Sequence, residues 1–411
     1  MLKAIKVRLY PTTEQQESLA KSFGCARWYW NYSLNECIQH YEKTGKSLKM
    51  SVYKGVLPKL KVEHTWLKED CYSSVLQCVA INLNKAYSNF FEGRAKFPRF
   101  KSRKGKQSIQ YPQNVTVVKE KFLKIPKIGE VEAVFHRPIK GTIKTVTISK
   151  TPSDKYFASV LCSVEGTEDN VEGDKIVGID LGLKDFAIVH DGEKVEKFAN
   201  PKHLKRHEKN LARKQKKHAR KPSGSKSKEK SRKLIAKVHE RVANTRQDFL
   251  HKLSRKLVDE SQVITVENLN VKGMKRNRKL SKSISDVGWG MFVNFLDYKL
   301  QKRSGKLIEI DRFFPSSKMC SCCNHVVDKL TLDIRQWDCP KCLTHHDRDG
   351  NAALNIRNEG IRIMNSPACQ EVNAGGNPGT ASGGNVRPTN RKGTKAVAIE
   401  TGSLHRPLAA M

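Results

Sequence analysis

The sequence predicts a multi-domain α/β protein, and three observations carry that expectation. The chain has 411 residues, 38% of them hydrophobic, enough for two or three separate cores. Between about 107 and 165 short β-like runs alternate with Pro and Gly signals. From about 174 onward the order is three strands, a helical crossover, a strand, a helix and a strand.

The elements follow in chain order. Residues 4–10 alternate and read as a strand. Pro11-Thr12-Thr13 ends it, and Thr13 with Gln16 three residues later offers a helix N-cap. Two helices are expected next, broken near Gly24, the second carrying Trp28, Trp30 and Tyr32. A further helix is expected over 73–92, where Leu76, Val79, Ala80, Leu83, Ala86, Tyr87 and Phe90 recur at helical spacing. Pro98 rules out a helix interior for 96–101. Val115–Val118, Thr142–Ser149 and Tyr156–Val164 read as strands of a small barrel, and the first strand is expected to pair with them, making the helices an insertion.

In the second half, Lys175–Asp180, Asp185–Val189 and Lys194–Phe198 read as three meandering strands. A helical hairpin over 201–257 has Pro222-Ser223-Gly224-Ser225 at its tip. Strand Val263–Glu267, helix 288–303, strand Lys306–Ile310 and helix 350–358 follow. This is the order of an RNase H-like fold. The stretch 365–411 turns rich in Gly, Asn, Ser and Pro and is expected to be disordered.

Composition narrows the function. The 77 Lys+Arg against 41 Asp+Glu give a net charge of +36, which suits a polyanionic partner. The hairpin alone, 201–257, holds 21 Lys+Arg and 4 Asp+Glu, with Lys216 and Lys217 among them. Further basic stretches are 272–282 and 99–104, the latter with Arg99 and Lys101. Contacts of this kind fix position on a phosphate backbone rather than read sequence. Phe97 and Phe100, set among these charges, read as core packing beside Pro98 before base stacking, and Trp28 and Trp30 likewise read first as core. No apolar stretch approaches the roughly 18 residues of a membrane span, and the N-terminus lacks a signal-peptide core. The expected location is the cytoplasm of a prokaryotic cell, beside the nucleoid.

Three acids stand at positions where chemistry collects. Asp180 and Glu267 end the first and fourth strands, and Asp349 opens the last helix. The first and fourth strands are neighbours in an RNase H-like sheet, so the three are expected to converge. Converging carboxylates repel unless a cation joins them. Two Mg²⁺ ions roughly 3.5–4 Å apart would stabilise the attacking and leaving oxygens of a phosphodiester. Taken singly, each acid also reads as a turn, strand-end or cap residue. Asp347 and Asp185 read as supporting groups.

Of the 11 cysteines, five fall between Cys320 and Cys342. Cys320, Cys323, Cys339 and Cys342 form CxxC, fifteen residues, CxxC, the spacing of a four-thiolate structural zinc ribbon. His325 and His345 lie nearby and are weaker ligand candidates, and Cys322 is an extra thiol.

Gly178-Ile179-Asp180-Leu181-Gly182, Val266-Glu267-Asn268-Leu269, the four cysteines and Asp347-Arg348-Asp349-Gly350-Asn351-Ala352-Ala353 together resemble the TnpB family. Its members are insertion-sequence proteins often labelled transposases, related to type V CRISPR effectors. Arg8-Leu9-Tyr10-Pro11, Phe97-Pro98-Arg99-Phe100-Lys101 and Ser283-Ile284-Ser285-Asp286 are similar to it as well. The resemblance implies an RNA-guided DNA endonuclease with a RuvC nuclease domain, whose guide RNA comes from its own element and whose target is double-stranded DNA. It implies Asp180, Glu267 and Asp349 as the nuclease triad, the four cysteines as zinc ligands, and Gln77 in the region that reads a short adjacent motif. The implied domains are a wedge (1–11 and 96–170), a helical recognition lobe (12–95), the nuclease (171–318 and 346–364) and a zinc ribbon (319–345). Two rival functions remain at this stage: a DNA-binding accessory or regulator of transposition that does not cut, and a DNA-strand transposase. The acid order and the lack of a His-hydrophobe-His motif weigh against the last.

Overall fold

The computed structural model describes residues 2–164, 175–331 and 333–366. The compact unit Met1–Arg362 holds every sheet, and the second unit, Ile363–Met411, falls almost wholly outside the described residues, as does the expected disordered tail from 367 onward.

The N-terminal half is one seven-stranded antiparallel sheet with helices set between its pieces. Strand β1 (Leu2–Tyr10) is followed by five helices, α1 (Thr13–Thr44), α2 (Met50–Gly55), α3 (Leu57–Glu63), α4 (Trp66–Glu69) and α5 (Ser73–Phe91). Then come β2 (Gln107–Tyr111), β3 (Thr116–Val118), β4 (Phe122–Ile125), β5 (Gly129–Val134), β6 (Thr142–Lys150) and β7 (Tyr156–Ser163). The order across the sheet is β2-β6-β7-β1-β5-β4-β3. Strand β1 buries Ile5, Val7 and Leu9 and lies between β7 and β5. The barrel-like sheet therefore needs the first ten residues as its central strand, and α1–α5 form an insertion.

One expectation fails here. Helix α1 is continuous through Gly24, because Leu19, Phe23, Ala26, Trp30, Leu34 and Cys37 keep one buried stripe across it. That packing outweighs the roughly 1 kcal/mol that an internal glycine costs. Its cap is also one residue earlier than expected. Thr12 Oγ1 accepts from Gln15 N at 3.3 Å, and Gln15 Oε1 accepts from Thr12 N at 3.1 Å.

The second half is RNase H-like. Strands β8 (Ile176–Leu181), β9 (Asp185–His190) and β10 (Val195–Ala199) form an antiparallel meander. The basic hairpin follows as α6 (His203–Ala219) and α7 (Lys226–Glu260), then β11 (Val263–Glu267). The short helices α8 (Val271–Met274) and α9 (Ser281–Val287) precede α10 (Trp289–Lys302) and β12 (Lys306–Ile310). The ribbon strands β13 (Gln336–Asp338) and β14 (His345–Asp347) lead into α11 (Arg348–Met364). The sheet order is β10-β9-β8-β11-β12, with β8, β11 and β12 parallel. Helices α7, α9 and α10 cover one face around Phe186, Leu250, Phe292 and Leu296.

Helix α11 lies on the other face, and two glycines let it come close. A Cβ on Gly178 would sit 2.2 Å from the Ala353 carbonyl oxygen and 2.4 Å from Arg357 N. A Cβ on Gly360 would sit 2.0 Å from Thr265 Oγ1. Neither Ala353 nor Arg357 can yield backbone atoms without moving the helix. Gly178→Ala is therefore expected to cost about 3 kcal/mol or more, because it pushes α11 off β8. Urea unfolding of the variant checks this, and a loss under about 1 kcal/mol would refute the close packing.

Candidate nuclease site

Register brings two of the acids level. Thr265 pairs with Gly178 and Val266 with Ile179 on neighbouring parallel strands, so Glu267 stands beside Asp180. Residues 178 and 180 share the face that carries α11. Moving from Gly178 to Asp180 advances about 7 Å along the strand. Stepping from Ala353 back to Asp349 retreats about 6 Å along the helix. The N-terminal end of α11 thus arrives over the ends of β8 and β11.

The electrostatics report the convergence. The Asp180 carboxyl is pushed up to about 7, first by burial, then by Glu267 and by Asp349, with Arg348 opposing. Burial also raises Glu267, against a hydrogen bond that Ser316 Oγ donates to its Oε1. Asp349 takes both carboxylate contacts from Arg335 Nη1, at 3.2 Å each. Asp347 caps α11: its Oδ1 accepts from Asp349 N at 3.0 Å and from Gly350 N at 3.1 Å, while its Oδ2 meets Lys197 Nζ at 2.6 Å. Arg348 is buried and donates to the Thr331 carbonyl at 2.7 Å, tying the start of α11 to the ribbon.

A stability prediction follows from the raised Asp180. The folded protein holds that proton more tightly than the unfolded chain, whose carboxyl titrates near 3.8. Metal-free stability is therefore lost as pH rises from about 4 to about 7, and is not regained above it. Comparing Asp180→Asn with the native chain in EDTA isolates this effect, expected at about 2–4 kcal/mol near pH 8 in favour of the variant. Equal stability of the two proteins across that range would mean that neither burial nor the neighbouring acids oppose the Asp180 charge.

The four cysteines close a second cluster. Cys320, Cys323, Cys339 and Cys342 place their sulfurs within 4.8 Å of one another. The Cys320–Cys342 and Cys323–Cys339 pairs are each 3.6 Å apart. Tetrahedral zinc with bonds of about 2.3 Å requires edges of about 3.8 Å, so the donor set fits. The Thr344 hydroxyl, 3.2 Å from Cys342 Sγ, helps hold that thiol down at about 6. His346 Nε2 lies 3.0 Å from Cys320 Sγ, with its ring against Trp337. His345 instead points outward to Asp338 at 2.7 Å, and Cys322 is exposed.

The remaining candidates lie elsewhere. Gln77 is exposed on α5, and Lys216 and Lys217 are exposed on α6. The Arg99 carbonyl accepts from Trp30 Nε1 at 3.0 Å. Lys101 Nζ sits 3.7 Å from the Trp30 ring centre, while Asn31 brackets the Lys101 backbone. Phe97 packs edge-on against Tyr87 and Phe90 yet stays 44% exposed, and Phe100 is exposed too. Sequence reasoning missed Arg335, Ser316 and His346. No local pattern marks them: Arg335 and Ser316 find their partners on α11 and β11, and His346 finds its partners only when the ribbon folds on itself.

An RNase H-like sheet with acids gathered at one edge, a cysteine ribbon before its last helix and a barrel-like N-terminal half defines a protein of the RuvC class. Three family profiles match consecutive parts of the chain: a helix-turn-helix domain over residues 1–46, the family described as "Probable transposase" over 159–278, and the Cas12f1-like TNB domain over 289–356. A Streptomyces pristinaespiralis protein named "Putative RNA-guided DNA endonuclease" is 35% identical, the match covering 87% of this chain and 89% of that one. "Putative RNA-guided DNA endonuclease InsQ" of Escherichia coli K12 is 29% identical over 92% and 96% of the two chains. A chain of a Cas12f1–sgRNA–target DNA complex superposes with a TM-score of 0.48 at 14% identity, covering 87% of this chain and 98% of that chain. The chain belongs to the TnpB family.

Proposed function

We propose that the chain is an RNA-guided DNA endonuclease of an insertion sequence, cutting DNA beside a short adjacent motif. The observation that carries the reading is the gathering of Asp180, Glu267 and Asp349 at one sheet edge, where burial first, then Glu267 and Asp349, raise the Asp180 carboxyl to about 7. A pure DNA binder has no use for three carboxylates that repel one another. The names of the relatives supply the RNA dependence, which no distance in the fold encodes.

Asp180, Glu267 and Asp349 are the residues that would hold Mg²⁺. Bound there, two Mg²⁺ would supply positive charge for the attacking and leaving oxygens of the phosphodiester. The chain's own contribution is placement. Ser316 fixes the Glu267 carboxylate, and Asp347, by capping α11, fixes Asp349. Gly178 and Gly360 keep that helix on the sheet. Zn²⁺ held by Cys320, Cys323, Cys339 and Cys342 would be structural, since four thiolates leave no open position. Guide RNA and double-stranded DNA are the partners, with base pairing reading the sequence and the basic surfaces gripping phosphates. Gln77, Arg99, Lys101, Lys216 and Lys217 stand as contact residues in this reading. Among the described residues no helix is long and apolar enough to cross a membrane.

The test is cleavage by protein co-purified with RNA from its own element, using a plasmid library with randomised bases beside the matching sequence. Cutting in Mg²⁺, absent in EDTA and confined to one adjacent motif, is expected. Binding without cutting in Mg²⁺ would make the chain a DNA-binding accessory instead.

A further inference from the structure

A second site lies on the carboxyl edge of the nuclease sheet, outside the acid cluster. A cavity of about 320 Å³ opens between the loop after β8, the start of α6 and α9. Its wall includes Leu183, three residues beyond Asp180, and Asn200, which follows β10 and donates to the Leu183 carbonyl at 2.8 Å. Strands β8, β10 and β11 all run toward this edge. The cavity thus opens at the same carboxyl edge of the sheet as Asp180 and Glu267, on the face covered by α9, while the two acids stand on the face that carries α11.

Its charges divide into paired and unpaired. The two carboxylates on its wall are both satisfied: Glu208 by Lys282, and Asp286 by Arg246 Nη2 at 2.6 Å and the Leu204 amide at 2.8 Å. Lys202 and Lys205, also on the wall, have no carboxylate partner among the described residues, and both are exposed. Lys202 is moreover held at φ 49°, ψ 51°, where glycine would be the default residue. Asn200 Oδ1 secures it there by accepting from Lys202 N at 3.0 Å. The turn thereby fixes the point at which the Lys202 side chain leaves the backbone, at the rim of the cavity.

We infer that this cavity grips a backbone phosphate of the DNA strand being cut, through Lys202 and Lys205, and so aligns that strand with the acids. The inference rests on the nuclease reading above. Both lysines are positioning residues.

The test uses the RNA-loaded full-length protein and single-turnover cleavage of DNA carrying one uncharged methylphosphonate linkage at a time near the cut. The native protein should slow about 10-fold at one or two linkages only. Lys202→Gln/Lys205→Gln should slow similarly on ordinary DNA and lose its sensitivity at those linkages. Its salt dependence of DNA binding should flatten by about 0.7 in log–log slope per lost contact. Lys202→Arg/Lys205→Arg should restore rate and sensitivity, which a merely structural role would not require. A glutamine variant with native rate, native salt slope and undiminished linkage sensitivity overturns the proposal. So does a loss confined to guide-RNA affinity, because the phosphate would then belong to the RNA. If the glutamine variant melts early, the linkage scan on the native protein decides alone: an even profile overturns the proposal. A native complex that cuts nothing would instead overturn the nuclease reading, leaving the salt slope of DNA binding to judge the cavity.

Discussion

Asp180→Ala is expected to abolish DNA cleavage, by about three orders of magnitude or more, while leaving RNA and DNA binding within about twofold. The asymmetry follows from where Asp180 stands. It lies beside Glu267 in strand register and near Asp349, and burial together with these two charges raises its carboxyl to about 7. Removing the central carboxylate leaves two acids without their common neighbour, and metal charge at the reacting phosphate is worth several kcal/mol. Among the described residues no hydrogen bond or ion pair joins that side chain to the basic hairpin or the barrel-like sheet. The folded state itself should become more stable above pH 7, because no charge is then buried beside Glu267 and Asp349. Single-turnover cleavage, filter binding and thermal melting on one preparation check all three. Cleavage within tenfold of the native rate would remove Asp180 from the site.

Cys339→Ser is expected to remove zinc and with it nearly all cleavage, at least about 100-fold, without unfolding the barrel-like half. Four-thiolate zinc contributes about 10–16 kcal/mol of folding free energy in small zinc modules, far more than the ribbon's few buried groups supply. Among the described residues the ribbon's own apolar core is small: Cys320, Trp337 and Cys339. Its loss would reach the acids directly. Arg335 binds Asp349, Arg348 binds the Thr331 carbonyl, and Asn351 Nδ2 donates to the Met319 carbonyl at 2.7 Å. Metal analysis should read one zinc per native chain and none in the variant. A variant that cuts normally without zinc would show that the ribbon does not order the start of α11.

Much of the nuclease half was legible because its signals are local. An apolar run ending in an acid marks both β8 and β11, and the observed β11 has the bounds its sequence suggests, Val263–Glu267. The CxxC pairs are equally local, since their spacing is itself the geometry of the knuckle. What escaped is what depends on distant partners. Gly24 looked like a helix break because propensity is all that a short window carries, whereas a stripe from Leu19 to Cys37 holds α1 straight. The basic stretch 272–282 hid α8 and the start of α9, whose lysines conceal any helical period. Arg335 and His346 acquire roles only through contacts made after the ribbon folds. The close approach of α11 to β8 and β11 was unreadable because a glycine in a strand or helix does not announce what lies above it.

RNA, not the protein, is expected to choose where the DNA is cut. The direct measurement replaces the target-pairing 3′ segment of the co-purified RNA with an unrelated sequence and maps cuts on a plasmid carrying both the old and new matches beside the same adjacent motif. In Mg²⁺ the cut is expected to move to the new match and leave the old one intact. Cutting that stays at the old match, or appears at both regardless of the RNA, would contradict it.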